Sequence, residues 1–164
     1  MTVHQKFKVQ QQFDGFEVRE FAPCVVADVL VSGDISSAGS QGFRPLFNYI
    51  SQNQISMTAP VLEEELESQQ WRISFVMPEG SDINALPNPV GSPVVLRELP
   101  AHRAAVLRFS GRTTQKAVLQ RDLELQKLLL AHGLHPNGKA RIARFDPPWK
   151  PPFARHNEVI IPID

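Results

Sequence analysis

Arg19–Gly33 reads REFAPCVVADVLVSG, and Arg97–Gly111 reads RELPAHRAAVLRFSG. The two stretches align without a gap. Arg19/Arg97, Glu20/Glu98, Ala27/Ala105, Ser32/Ser110 and Gly33/Gly111 are identical, and Val26/Ala104, Val29/Leu107 and Val31/Phe109 keep apolar character. After each copy comes a polar turn, then a helical pattern, then β-like segments. A long period present in two copies points to a duplicated supersecondary unit, since a solenoid needs more copies of a shorter repeat. The expected order is ββαββ twice, in one domain: repeat one over about 16–77, a proline-rich connector over 78–93, and repeat two over about 94–163. Such an order builds an α+β fold with helices on an antiparallel, strongly curved sheet or barrel.

Within the first copy, Val25, Ala27, Val29 and Val31 share one strand face, as a half-buried strand requires. Upstream, Lys6–Phe13 reads as an arm leading into a first strand. Asp14-Gly15 reads as a turn, and Phe16–Phe21 as an alternating strand. Downstream, Phe43, Leu46, Phe47 and Ile50 fall at i, i+3, i+4 and i+7 and predict a short helix that either starts near Gly42, with Pro45 in its first turn, or is kinked at Pro45. Ile55–Val61 predicts a strand whose Pro60 places it at an edge or bulge. The acidic stretch Glu63–Gln70 reads as a solvated hairpin turn. Trp71, Ile73, Phe75 and Met77 predict the strand that closes the first half. In the second half Val94–Leu99, Arg103–Phe109, Ala140–Phe145 and Glu158–Ile163 read as strands. A helix over Gln115–His132 is capped by Thr113 or Thr114 and stopped by Gly133, with Val118, Leu123, Leu125, Leu128 and Leu129 on its apolar face.

At 164 residues and 18.4 kDa the chain is long enough for one domain with a sizeable core. Its 14 prolines favour defined turns over long helices, and its 17 Lys+Arg balance its 17 Asp+Glu. A balanced charge supplies no general field toward nucleic acid or an anionic membrane. Cys24 stands alone, which excludes an intramolecular disulfide and fits a reducing compartment. No apolar run reaches the length of a signal peptide core or a membrane span. These features place the protein in the cytoplasm, with no membrane insertion.

Catalytic patterns are missing: there is no Gly-x-Ser-x-Gly elbow, phosphate-binding glycine loop or His-Glu-x-x-His. Cys24 reads as a small core residue on a strand. His132 and His135 straddle a helix end, where the dipole itself favours histidine, and no histidine belongs to a ligand-spaced cluster. No metal ligand and no enzyme activity are assigned. More informative is the aromatic and proline content. Phe43, Phe47, Tyr49 and Met57, with Phe145 and Trp149 around Asp-Pro-Pro, form a set that can line one apolar cleft, with Arg44 and Lys150 at its rim. That composition suits a flat, largely apolar ligand with carboxylate tails.

Phe43-Arg44-Pro45-Leu46-Phe47-Asn48-Tyr49-Ile50 followed by Met57-Thr58-Ala59-Pro60-Val61 resembles the helix and the Met-Thr-Ala-Pro-Val motif of the SOUL haem-binding proteins. Arg108-Phe109-Ser110-Gly111, Phe145-Asp146-Pro147-Pro148-Trp149 and Asn157-Glu158-Val159 match the family's later landmarks in order, so the resemblance spans about Phe16 to Ile163. It implies a distorted antiparallel β-barrel from two pseudo-symmetric βαββ-type repeats with two flanking helices, a fold also similar to the effector-binding domains of bacterial drug-responsive regulators. It further implies non-covalent binding of haem or another porphyrin between the first helix and the Asp-Pro-Pro loop. The residues it points to are Arg44, Phe47 and Asn48 on the helix, and Phe145, Trp149 and Lys150 at the loop. Arg44 and Lys150 would meet propionates while the aromatics cover ring faces. Where the family often has Arg-Arg-Asn-Glu, this chain has Arg155-His156-Asn157-Glu158. The expected role is a tetrapyrrole carrier, buffer or sensor. The alternatives are an effector module for other flat amphipathic molecules and a ligand-free protein-interaction domain.

Overall fold

Alternating side chains put more of the sequence into sheet than into helix. The structure, a computed structural model, describes residues 3–164. In chain order the elements are β1 (Val3–His4), β2 (Phe7–Phe13), β3 (Phe16–Phe21), β4 (Cys24–Ser32), α1 (Ile35–Gln52), β5 (Thr58–Ala59), β6 (Val61–Glu67) and β7 (Gln70–Val76). There follow β8 (Val95–Leu99), β9 (His102–Phe109), α2 (Gln115–Ala131), β10 (Arg141–Arg144), a single 3-10 turn (Pro152–Ala154) and β11 (Asn157–Pro162). Nine strands form one sheet in the order β2-β3-β9-β11-β10-β6-β7-β4-β8, antiparallel throughout. A separate parallel pair joins β1 to β5. The first strand of each half is exchanged: β3 pairs with β9, and β8 pairs with β4. The sheet curls into a half barrel rather than closing. Its edges are β2 and β8, and β2 is solvated along Lys8–Gln12, so it offers no continuous apolar face for closure.

Alternation across each strand sorts the core into layers. Val25, Ala27 and Val29 of β4, with Ile73 and Phe75 of β7, pack under Leu46, Tyr49 and Ile50 of α1. Ala105, Leu107 and Val159 pack under Leu125 and Leu129 of α2. The intervening residues Val26, Val76, Ala104, Val106 and Ile160 cover the helix-free face with Phe21 and Leu62. No helix among the described residues is long and apolar enough to cross a membrane.

Three local expectations change. α1 begins at Ile35, where the Asp34 side chain accepts from Ser37 N, seven residues before the expected start. Its buried face is Ile35, Ala38, Gly39, Gly42, Leu46, Tyr49 and Ile50, so Pro45 lies in the helix interior and Phe43 and Phe47 turn outward. Three of those seven, Ala38, Gly39 and Gly42, are small, and a reading by bulky apolar residues misses them. The expected strand Ile55–Val61 is divided by a cis Ala59–Pro60 bond into β5 and the start of β6. Lastly, the acidic run is mostly strand: the turn is confined to Ser68-Gln69, and Glu63 is buried beneath α1.

α2 follows its prediction closely, with Thr114 accepting from Ala117 N and Gly133 at positive φ beyond the end. Leu125 and Leu129 are buried, whereas Leu123 faces solvent. The connector packs Ile83 and Leu86 against the α1 cluster, and Tyr49 donates to Pro87 O at 2.7 Å.

Candidate functional site

The Asp-Pro-Pro loop is held by its own polar groups. Asp146 accepts from His156 N and from Lys150 Nζ at 3.0 Å. Arg155 donates from Nε to Lys150 O at 2.8 Å and from Nη2 to Pro148 O at 2.6 Å. Burial alone would raise the Asp146 carboxyl, but the His156 N–H and Lys150 outweigh it and hold it below its ordinary range. This clamp presents Trp149 to solvent with 83% of its surface exposed.

Beside Trp149 is a pocket of about 470 Å³ lined by Arg112, Arg144, Lys150 and Arg155. The first turn of α1 (Ile35, Ser36) and the entry to α2 (Thr113, Thr114) complete its wall. Two helix N-termini therefore add backbone N–H dipoles to the four cations. Lys150 is partly neutralised by Asp146, and Arg144 reaches Glu63 at 3.3 Å. Arg155 spends its hydrogen bonds on carbonyls and forms no ion pair among the described residues. The pocket can hold anionic groups of a ligand whose flat part lies on Trp149.

The α1 residues of the expected site lie further along the helix. Arg44, Phe47 and Asn48 are exposed; Phe47 is 46% exposed and stacks on Phe43, itself 42% exposed, at 5.6 Å between ring centroids. Asn48 borders a groove of about 400 Å³ between α1 and Asn88–Pro93 of the connector. Phe145 belongs to neither place. Its ring stacks on His156 at 4.1 Å and meets His4 edge-on at 5.4 Å, on the helix-free face. The structure thus groups Trp149 with Lys150, and Arg44 with Phe47 and Asn48. It sets Phe145 apart from both as packing, because its strand neighbours turn it toward the helix-free face.

The middle of that face is closely packed, with a pocket of about 320 Å³ to one side, lined by Glu17, Arg19, Val106, His156 and Glu158. Phe7, Phe21, Phe145, Arg19, Glu158 and Ile160 leave about 10 Å³ among them. Glu158 receives Arg19 through both oxygens, at 2.8 and 2.9 Å, and His156 Nε2 lies 2.8 Å from it. Burial would raise this carboxyl, yet the bonds from His156 and Arg19 hold it below its ordinary range. Nearby, burial and then Arg141 lower the His102 pKa. The neutral ring donates from Nδ1 to Pro100 O and accepts from Arg141 at 2.8 Å. Acidic groups on this face are already matched by cations.

A cavity of about 880 Å³ opens at one end of the half barrel between the N-terminal arm, the Ala22-Pro23 corner and the Pro100-Ala101 corner. Those corners lie in the aligned stretches Arg19–Gly33 and Arg97–Gly111, from which no site residue is expected by sequence. Arg112 and Arg155 also escape sequence reasoning. They become neighbours only because β11 pairs with β9 with Asn157 opposite Phe109, and no local pattern encodes that register.

A family profile described as "SOUL heme-binding protein" matches residues 3–162. No curated protein matches the chain in sequence. Among solved structures, the chain is similar to the C-terminal domain of EcmrR, at TM-score 0.69 and 14% identity over 91% of this chain and 96% of that one. It is also similar to a hydrolase from Listeria innocua, at TM-score 0.65 and 12% identity over 94% of each chain. A third similar structure is SAV2435 bound to tetraphenylphosphonium, at TM-score 0.52 and 12% identity over 91% of this chain and 93% of that one. At such identities the likeness concerns the fold alone.

Proposed function

The chain belongs to the SOUL heme-binding protein family, and from that premise we propose that it binds haem or a related tetrapyrrole non-covalently, as a carrier, buffer or sensor, without catalysing a reaction. The observation that carries this reading is the exposed indole of Trp149 beside a pocket lined by Arg112, Arg144, Lys150 and Arg155. A tetrapyrrole has the matching chemistry: a flat aromatic body, and carboxylates that arginine and lysine take as charge-assisted hydrogen bonds. Arg44, Phe47 and Asn48 supply a second exposed aromatic surface with a cation beside it, and we assign them the opposite end of the same ligand. Phe145 is left out of this assignment, because its ring is committed to His156 and His4.

A cationic amphipathic ligand is the competing class. It is disfavoured because Glu158, the buried carboxylate of the helix-free face, is already paired with Arg19 through both oxygens. We also read residues 16–77 and 94–163 as related copies, which the identities between Arg19–Gly33 and Arg97–Gly111 support.

The test is a hemin titration followed by the Soret band. Saturable binding is expected at one equivalent. Arg112→Glu with Lys150→Glu weakens it by about tenfold or more, since each reversal replaces an attraction with a repulsion. Trp149→Ala weakens it by about three- to tenfold through the lost ring contact. Phe47→Ala with Arg44→Glu tests the second surface separately. Hemin binding that none of these changes affects, or that never saturates, would sink the assignment.

A further inference from the structure

The end cavity is chemically unlike the basic pocket. Its walls are aliphatic: Val25, Val76, Met77 and Leu99 line it together with prolines at the corners, and no phenylalanine, tyrosine or tryptophan does. Charge is confined to the mouth, where exposed Lys6 pairs with Glu79 at 3.1 Å and Glu98 is exposed. One polar group inside is unfinished. Gln5 is only 6% exposed; its backbone N–H donates to Ala59 O at 2.8 Å, and its Nε2 lies 3.8 Å from Cys24 Sγ. Its Oε1 is buried and has no partner among the described residues. Buried amide oxygens are nearly always satisfied, and Gln5 lines both this cavity and the roughly 10 Å³ gap beside Phe7, so a turn of its side chain brings the unpaired oxygen to a donor in the cavity. Cys24 adds no charge: burial raises its thiol above the ordinary range, against weaker pulls from Gln5, Arg141 and Arg97.

We propose that this cavity binds an aliphatic molecule with a neutral hydroxyl head, the hydroxyl donating to Gln5 Oε1 and the alkyl body lying against Val25, Val76, Met77 and Leu99. A hydroxyl suits the site because it both donates and accepts, and can serve the amide and the thiol together. A carboxylate head suits it less, because no arginine lines the cavity, the lining Lys6 is paired with Glu79 at the mouth, and Glu98 stands there too. This site is separate from the tetrapyrrole surface and does not depend on it.

The probe is n-octanol, with octanoate as its charged counterpart, added to the full chain carrying ¹³C-methyl methionine. Octanol is expected to shift the Met77 methyl signal saturably, with octanoate at least about tenfold weaker. Gln5→Leu should weaken octanol by about tenfold through loss of the head-group bond. Ala101→Trp, at the exposed corner, should block entry without touching the core, and it decides the matter if Gln5→Leu fails to fold. Hemin binding should be unchanged in Ala101→Trp and should not compete with octanol. Any one of three results overturns the proposal: no saturable Met77 shift, octanoate binding as well as octanol, or displacement of octanol by hemin. Survival of octanol binding in Ala101→Trp would also overturn it.

Discussion

Arg19 and Glu158 come from the two ends of the chain, and each is almost fully buried: their side chains are 9% and 1% exposed. Neither is tolerable alone, because an unpaired charge taken out of water costs far more than its contacts return. Arg19 also donates to Glu17 at 2.7 Å and lies over the Phe7 ring at 4.0 Å, so its position is fixed on several sides. Arg19→Met should destabilise the fold by roughly 3–5 kcal/mol at neutral pH, whereas Arg19→Met with Glu158→Leu should recover much of that loss. The sign with pH follows from the lowered Glu158 carboxyl. Stability from a lowered carboxylate is present above its unfolded value and is lost as pH falls through its folded value. The gap between wild type and Arg19→Met should therefore be widest at neutral pH and narrow in acid, below the ordinary Glu value of 4.5. Urea midpoints across pH measure this, and a gap independent of pH would refute the ion-pair account. Glu63 behaves oppositely. Burial raises its carboxyl despite Arg144, because that contact is a single long one and Glu63 Oε1 has no partner.

At the scale of elements, α1 shows how a helix can be legible in kind and illegible in phase. A helix is plain from the Phe43–Ile50 spacing, but the face turned to the sheet is set by glycine and alanine. A Cβ on Gly42 would lie 2.5 Å from Ile73 Cγ1 and 2.6 Å from Ile73 Cβ, so α1 sits on β7 at a distance only glycine permits. Bulky residues dominate a hydrophobic pattern, and that pattern draws Phe43 and Phe47 inward. The structure turns them outward instead, which leaves the aromatic surface assigned to ligand. The same logic explains the candidate site. Trp149 and Lys150 are legible because Asp-Pro-Pro-Trp is a local motif, while Arg112 and Arg155 depend on the β9–β11 register. Gly42→Ala gains about 1 kcal/mol of helix propensity but must lift α1 from Ile73, an overpacking that costs about 1–3 kcal/mol or more. We expect a net loss of about 1–2 kcal/mol, with Ser40→Ala, on the exposed side, within about 0.5 kcal/mol of wild type. Thermal or urea denaturation decides this; a stabilised Gly42→Ala would show that α1 is not in close contact with β7.

The whole molecule is organised by the exchange of first strands. The order ββαββ is readable twice in the sequence, but which strand joins which sheet is not, because pairing between distant strands leaves no local trace. In the sheet, β3 completes the group β9-β11-β10, and β8 completes β6-β7-β4. The two groups meet directly only through β6 and β10. Each half thus supplies a strand to the sheet of the other, and neither has a finished sheet of its own. Cleavage between Val90 and Gly91, in an exposed part of the connector, tests this directly. Residues 1–90 alone leave β4 without β8, and residues 91–164 alone leave β9 without β3, each exposing an unpaired apolar edge. Neither piece should unfold cooperatively by itself, while an equimolar mixture should regain the intact protein's circular dichroism and the buried emission of Trp71, which donates to Gly33 O at 3.2 Å. In the uncut chain, fluorescence and circular dichroism should trace one coincident transition, as a single cooperative unit requires. A sharp transition in either isolated piece would mean that the exchanged strand is dispensable, and that the halves are joined by the chain rather than by the sheet.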